Sequence, residues 1–352
     1  MVAVQTSRHG ANPKEFTAVD LFAGCGGLSL GLKWAGFRIV AAVEVDAKRA
    51  QTYALNHPDT RILIRDIRKV GIEELTAGIR PGQRIDLVAG CPPCQGFSRI
   101  RRRNAIQAVS DPRNDLVLEF VRLVRAIRPK AVMLENVPGL ENDPRFATLL
   151  RSLRACRYKV TWRVLDLAHY GVPQRRKRLV LLAWHGSEPP NLDQIAKGPR
   201  RTVRDALEQL PTLVKSAKIL HSVRVRRSND VIERIRHVPL DGGSRSSWPQ
   251  GIRLDCHQAV DGFRDVYGRM AWDSLAPTIT GGCINPSKGR FLHPSKHRAI
   301  TLLEAARLQT FPVWYSFDVN HGRYPIAAMI GEALPPRFAG RAATYLKTGI
   351  RL

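Results

Sequence analysis

Phe16-Thr17-Ala18-Val19-Asp20-Leu21-Phe22-Ala23-Gly24-Cys25-Gly26-Gly27 is an apolar run that breaks into glycine. Leu28, Leu30, Leu32 and Trp34 then carry a helical pattern to Gly36. The order strand, glycine turn, helix is the first unit of a nucleotide-binding α/β fold. The glycines do not fit G-x-G-x-x-G, because position 29 is Ser and Gly27 directly follows Gly26. A dinucleotide pyrophosphate site is therefore disfavoured, while the glycines still let a nucleoside-bearing ligand approach the backbone closely. Ile39 to Val45 reads as the next strand and ends in Glu44 and Asp46. That is about twenty residues after the turn, where such folds place an acid on ribose hydroxyls.

Further short apolar runs follow at Ile62–Ile64, with Asp66 after it, and at Ile85–Ala89, Lys130–Leu134, Val160–Leu165 and Leu179–Trp184. Helical patterns at 114–127, 146–155, 301–309 and 336–345 lie among and after them. Strands alternating with helices predict an α/β protein with a parallel sheet. The run at 85–89 opens into Gly90-Cys91-Pro92-Pro93-Cys94-Gln95-Gly96-Phe97-Ser98. Two prolines stiffen the chain ahead of Cys94 and Gly96 turns it away, which is how a nucleophilic thiol is presented at a strand end. Cys91 and Cys94 also form C-x-x-C, a spacing shared by redox and zinc sites. Cys25, Cys156, Cys256 and Cys283 supply no second close pair, so the sequence calls for no metal. The run at 130–134 delivers Glu135 and Asn136 to its own end. An acid there, beside a thiol at the end of a neighbouring strand, points to catalysis more than to packing. In Tyr170-Gly171-Val172-Pro173-Gln174-Arg175-Arg176-Lys177-Arg178, an extended chain would put Gln174, Arg176 and Arg178 on one face, aimed at one partner.

Fifty-six Lys and Arg against thirty Asp and Glu give a formal charge of +26. An excess this large favours a polyanion, most simply nucleic acid, over a membrane surface, since no stretch pairs the arginines with a large apolar stripe. Arg101, Arg102 and Arg103 stand in a row within a polar loop and suit phosphate. No apolar run is long enough to span a membrane, and six scattered cysteines are no disulfide framework, so a cytosolic protein is expected. After Gly186 periodicity weakens and Pro and Arg become frequent. Three units are expected: residues 1–186 catalytic and cofactor-binding, 187–320 a smaller recognition domain, and 321–352 a segment returning to the first.

Taken together these motifs resemble the DNA (cytosine-5) methyltransferases of bacteria. The resemblance rests on Asp20 to Gly27, Pro92 to Ser98, Asp111-Pro112-Arg113-Asn114, Glu135-Asn136-Val137, Tyr170 to Gln174 with Arg176 and Arg178, Arg298 to Pro312, and Gly331 to Pro336. It implies a Rossmann-like S-adenosylmethionine-dependent methyltransferase sheet of seven strands, with an irregular target recognition domain across a DNA cleft. It further implies methyl transfer from S-adenosylmethionine to C5 of a cytosine flipped out of double-stranded DNA, through a covalent bond from Cys94 to C6. Glu135 would hold N3, Arg178 the cytosine O2, and Gln95, Asn136 and Arg176 would support the site. The resemblance assigns the donor to Phe22, Gly24, Gly26, Gly27, Glu44, Val45, Asp66, Ile67, Pro93, Leu116, Glu332 and Leu334. It assigns DNA to Ser98, Arg99 and Arg101 to Arg103 on a lid running from Gly96 to Arg113.

Glu332 departs from the pattern, because the family usually carries Asn at that position. A monomer without metal is expected, in the bacterial cytosol at the nucleoid, possessing at most a restriction endonuclease that acts separately. A tRNA cytosine methyltransferase of the same fold would carry a Cys-Phe-Thr signature that is missing here. A DNA-binding module that has lost catalysis would not retain Cys94, Glu135 and Arg178.

Overall fold

The computed structural model describes residues 15–80, 82–93, 112–208, 215–223, 225–255 and 264–351. Strand β1 (Phe16–Leu21) is buried along its whole length. It is followed by helix α1 (Gly27–Trp34), β2 (Phe37–Glu44), α2 (Ala47–Asn56) and β3 (Arg61–Ile64). Next come α3 (Ile72–Thr76), β4 (Leu87–Gly90), α4 (Leu116–Ile127), β5 (Ala131–Asn136), α5 (Pro144–Ala155), β6 (Lys159–Asp166) and β7 (Lys177–Trp184). Each of the seven expected strands is present, with ends displaced by at most two residues.

The strands form one sheet in the order β3-β2-β1-β4-β5-β7-β6. Pairs β1–β2, β2–β3, β1–β4 and β4–β5 are parallel, but β7 runs antiparallel to both β5 and β6. The expectation of a wholly parallel sheet is corrected at this edge. Only residues 167–176 join β6 to β7, and they hold no crossover helix, so the chain reverses and β7 enters between β5 and β6. The order reverses between β1 and β4, opening a crevice beyond their carboxyl ends.

Both faces of the sheet are covered. One core packs Val19, Val43 and Val88 against Phe120 and Val124 of α4 and Leu149 and Leu153 of α5. The other packs Ala18, Ile39 and Leu87 against Leu28 and Leu32 of α1 and against Phe338, Ala342 and Leu346. These last lie on the C-terminal helix (Pro336–Arg351), which follows the helices Leu302–Leu308 and Arg323–Glu332. A third core joins Cys25 and Leu30 to residues from 203–220 and 270–330, among them Ile279, Leu303, Phe311 and Ile330. A small fourth core holds Ile235, Val238, Trp248, Val266, Tyr267 and Leu292. At its centre the fully buried Arg269 guanidinium donates to the carbonyls of Pro239, His293, Lys296, Ile235 and Val238, so the end of the helix Asn229–Arg236 and the loops around it converge on one cation. Among the described residues no helix is long and apolar enough to cross a membrane.

Candidate active site

The crevice at the switch point is a cavity of about 690 Å³, lined from the ends of β1, β2, β4 and β5 and from segments 278–281 and 329–334. That size suits a nucleoside-bearing ligand. Its floor is the turn after β1. Phe22 adopts φ of 63° and Gly24 of 57°, both left-handed. Such strain in a non-glycine residue survives only where its surroundings enforce it. Glu44, almost buried, enforces it here: Oε2 accepts from the Gly24 amide (2.8 Å) and Oε1 from the Asp46 amide (2.9 Å). A Cβ built on Gly24 would touch nothing within 4 Å, so the turn is open to the cavity.

Its two neighbours are glycines for another reason. A Cβ on Gly26 would lie 2.4 Å from the His57 ring, and one on Gly27 2.7 Å from the Leu334 carbonyl. Gly26 is accordingly absent from the cavity wall, where the sequence had placed it, because it is spent on packing against His57 and Tyr315. The other expected donor contacts, Phe22, Gly24, Gly27, Glu44, Val45, Asp66, Ile67, Pro93, Leu116, Glu332 and Leu334, all line the cavity. Asp66 is engaged by the forked Arg68 side chain (Nη2–Oδ2 2.6 Å), which holds its pKa down at about 2.

At the far end Glu135, the penultimate residue of β5, pairs with Arg178 of β7 (Oε1–Nε 2.8 Å), both largely buried. The Asn136 amide donates to the Pro92 carbonyl (3.0 Å) and its Oδ1 accepts from the Val137 amide, tying the end of β5 to the proline pair after β4. Gly90 and Leu134 are partners across the parallel β4–β5 pair. Pro92 and Pro93 and Glu135 thus leave the sheet side by side. Cys94, Gln95, Ser98, Arg99, Arg101, Arg102, Arg103 and most of the Gly96–Arg113 lid lie outside the described residues; Arg113 itself lines the cavity. Burial pushes the Cys25 thiol up to about 12, and burial together with the Glu135 carboxylate pushes Cys91 well up, so neither is a ready thiolate. No cluster of potential metal ligands occurs among the described residues.

Gln174 and Arg176 do share a partner, but it is the chain itself. The Ile279 amide donates to Gln174 Oε1 (3.0 Å), while Arg176 Nη1 donates to the Ile279 carbonyl (3.0 Å). Arg176 Nη2 also reaches the carbonyls of Gly331 and Ala333, both at 3.1 Å. Arg176 is therefore buried behind the wall and absent from it, whereas Arg178 reaches the cavity. Sequence reasoning missed Thr278, Thr280 and Arg49 on the wall. The first two sit in Ala276-Pro277-Thr278-Ile279-Thr280-Gly281-Gly282, whose paired glycines were the available signal.

A family model for C-5 cytosine-specific DNA methylase matches residues 16–348. The chain belongs to the C-5 cytosine-specific DNA methylases. The methylase is 35% identical over 334 residues to the Type II methylase M.HgiDII of Herpetosiphon aurantiacus, covering 90% of this chain and 91% of that one. It is 31% identical over 328 residues to the Type II methyltransferase M1.HphI of Haemophilus parahaemolyticus, covering 92% and 84%. Among solved structures, a candidate DNA modification methyltransferase encoded within an E. coli prophage superposes with a TM-score of 0.74 at 24% identity, over 96% of this chain and all of the other. The Dnmt2 methyltransferase of S. pombe gives 0.66 at 17%, over 96% and 100%. At these identities the likeness concerns the fold. Family membership makes the methylase a DNA cytosine-5 methyltransferase dependent on S-adenosylmethionine. The open glycine turn and the Glu44 floor fit a nucleoside-bearing donor.

Proposed function

We propose that the enzyme methylates C5 of a cytosine flipped out of double-stranded DNA, through a transient covalent bond between Cys94 and C6. S-adenosylmethionine supplies an electrophilic methyl group. C5 of cytosine is a poor nucleophile. Attack of the Cys94 thiolate forms the S–C6 bond and moves the C5–C6 π electrons toward C5, making an enamine. A proton on Glu135 shared with N3 relieves the charge that builds on the ring, and Arg178 both orients that carboxyl group and reaches the cytosine O2. C5 then takes the methyl group, the donor leaving as S-adenosylhomocysteine. Loss of the C5 proton to a base expels Cys94 and restores the ring.

The observation that carries this reading is the Glu135–Arg178 pair at one end of a cavity whose other end is the glycine turn, with Pro92, two residues before Cys94 in the sequence, tethered to Asn136 beside it. Burial holds the Cys25 and Cys91 thiols protonated, which supports Cys94 over these two as the nucleophile. Flipping costs a few kcal/mol. We assign phosphate contacts to Ser98, Arg99 and Arg101 to Arg103, and base readout to the part of 187–320 around the fourth core. The segments 276–281 and 302–320 are assigned to the catalytic body instead, since they pack on α1 and on Gln174 just before β7. We further assign a monomer acting on DNA in the cytosol, and the Type II names of its relatives support a role beside a restriction endonuclease that acts separately.

Duplexes carrying 5-fluorocytosine at a site mapped by bisulfite sequencing should trap the enzyme in a denaturant-resistant adduct when donor is present. Cys94→Ala should lose both adduct and turnover while keeping DNA binding. Turnover by Cys94→Ala near that of the parent, or methyl transfer to tRNA in place of duplex DNA, would overturn the proposal.

A further inference from the structure

Arg49 on α2 and Glu332 at the end of the helix Arg323–Glu332 come from opposite ends of the chain and meet on the cavity wall, Nη2–Oε2 2.7 Å. The pair is unusual in its setting. Its side chains remain 30% and 49% exposed, and an ion pair so wet adds little to stability. The neighbouring acids already have work. Glu44 uses both oxygens on backbone amides, and Asp46 caps α2 by accepting from the Arg49 amide (3.0 Å). Burial weakens the charge on Arg49, but the fields of Glu332, Glu44 and Asp46 outweigh it and hold the guanidinium firmly ionised. Among the described residues each side chain of the pair makes its one hydrogen bond to the other. Arg49 therefore keeps donors to spare and Glu332 an oxygen, one positive and one negative group side by side on the wall of a cavity whose floor is the Gly24 turn.

An α-amino acid offers the complementary pattern: a carboxylate and an ammonium held a few ångströms apart. We propose that Arg49 and Glu332 are the receptor for the amino-acid end of the methyl donor, its carboxylate lying against Arg49 and its ammonium against Glu332. The inference rests on the cavity being the S-adenosylmethionine pocket. It also accounts for Glu332 standing where the sequence resemblance expects Asn. An isolated acid there would repel the donor carboxylate, whereas an acid paired with Arg49 offers a place for each charge.

The test is calorimetric and independent of turnover. S-adenosylhomocysteine and 5′-methylthioadenosine share the adenosine and thioether, but only the first has the amino-acid end. The unmodified protein should bind both, the first more tightly. Arg49→Gln and Glu332→Gln should each weaken S-adenosylhomocysteine by about ten- to a hundredfold while leaving 5′-methylthioadenosine within about twofold. Equal losses for both ligands would mean that the pair only shapes the pocket, and unchanged affinities that it plays no part; either overturns the proposal. Should Arg49→Gln not fold, Arg49→Lys keeps the charge without the fork and should show the same selective loss in smaller degree. If the unmodified protein binds neither ligand, the reading of the cavity itself falls, a failure distinguishable from that of the pair.

Discussion

Arg176 offers the most direct test of how the catalytic wall is built. Its guanidinium is 1% exposed and donates to the carbonyls of Ile279, Gly331 and Ala333 at 3.0 to 3.1 Å. It therefore joins the start of β7 to two segments far from it in sequence, both of which form the cavity. Each bond from a charged donor contributes about 1.5–3 kcal/mol, but burying the cation offsets much of that sum. Truncation is costly for a different reason, because the Ile279 carbonyl loses the Arg176 donor while those of Gly331 and Ala333 keep only longer bonds from Gln309 Nε2, at 3.4 and 3.2 Å. Arg176→Met, which keeps much of the side-chain volume, should therefore cost about 3–5 kcal/mol. With a urea dependence of about 3 kcal/mol/M for a chain of this size, the unfolding midpoint should fall by about 1 M or more. Arg176→Lys, whose single ammonium cannot reach both segments, should recover only part of the loss. S-adenosylhomocysteine binding should weaken in step with the midpoint, since the clamped segments line the pocket. A midpoint for Arg176→Met within about 0.2 M of the parent would refute the clamp, taking about 3 kcal/mol/M as the slope.

Glu135→Gln keeps the shape of the pocket but removes both the proton and the ion pair with Arg178; turnover should fall by about 10²–10⁴ with S-adenosylhomocysteine affinity little changed, as read by tritium transfer and calorimetry. Gly31→Ala would place a Cβ 2.5 Å from that of Ala339 and 2.6 Å from the Gly340 nitrogen and the Pro336 carbonyl, so α1 must move off the C-terminal helix; a loss of about 1–3 kcal/mol should appear in thermal unfolding. Burial raises Asp20 from 3.8 to about 7 against the hydrogen bond from Ser29, so the folded state holds a proton that the unfolded chain has released. Its contribution is fully present below about pH 4 and is lost as pH rises through 7, by roughly 1.4 kcal/mol per unit between. Against Asp20→Asn the parent should therefore lose of order 3 kcal/mol between pH 5 and 7 in urea unfolding, and a constant gap would remove Asp20 as the titrating group.

How much of this was legible beforehand follows from the range over which each signal acts. Apolar runs, glycine turns and helical periodicity are local, and they placed all seven strands and the acids at the ends of β2 and β5. The prolines before Cys94 and the motif around it are contiguous too, which is why the family could be recognised from the chain alone. What needed the fold is pairing between distant segments. A short connection, with nothing in the sequence to mark its consequence, sends β7 back between β5 and β6 and thereby brings Arg178 to Glu135. Gln174, Arg176 and Arg178 alternate as three equivalent polar groups, yet two are buried against Ile279 and one faces the cavity, because the packing of 276–281 on the connection before β7 decides which is covered. Gly26 resembles Gly24 in the sequence and differs from it in having His57 and Tyr315 beside it. Glu332 read alone was a misplaced charge; its partner Arg49 lies 283 positions earlier, and only folding both onto one cavity wall turns the two into a pair. Side-chain chemistry is written residue by residue, whereas the field each group feels is set by neighbours that chain order does not reveal.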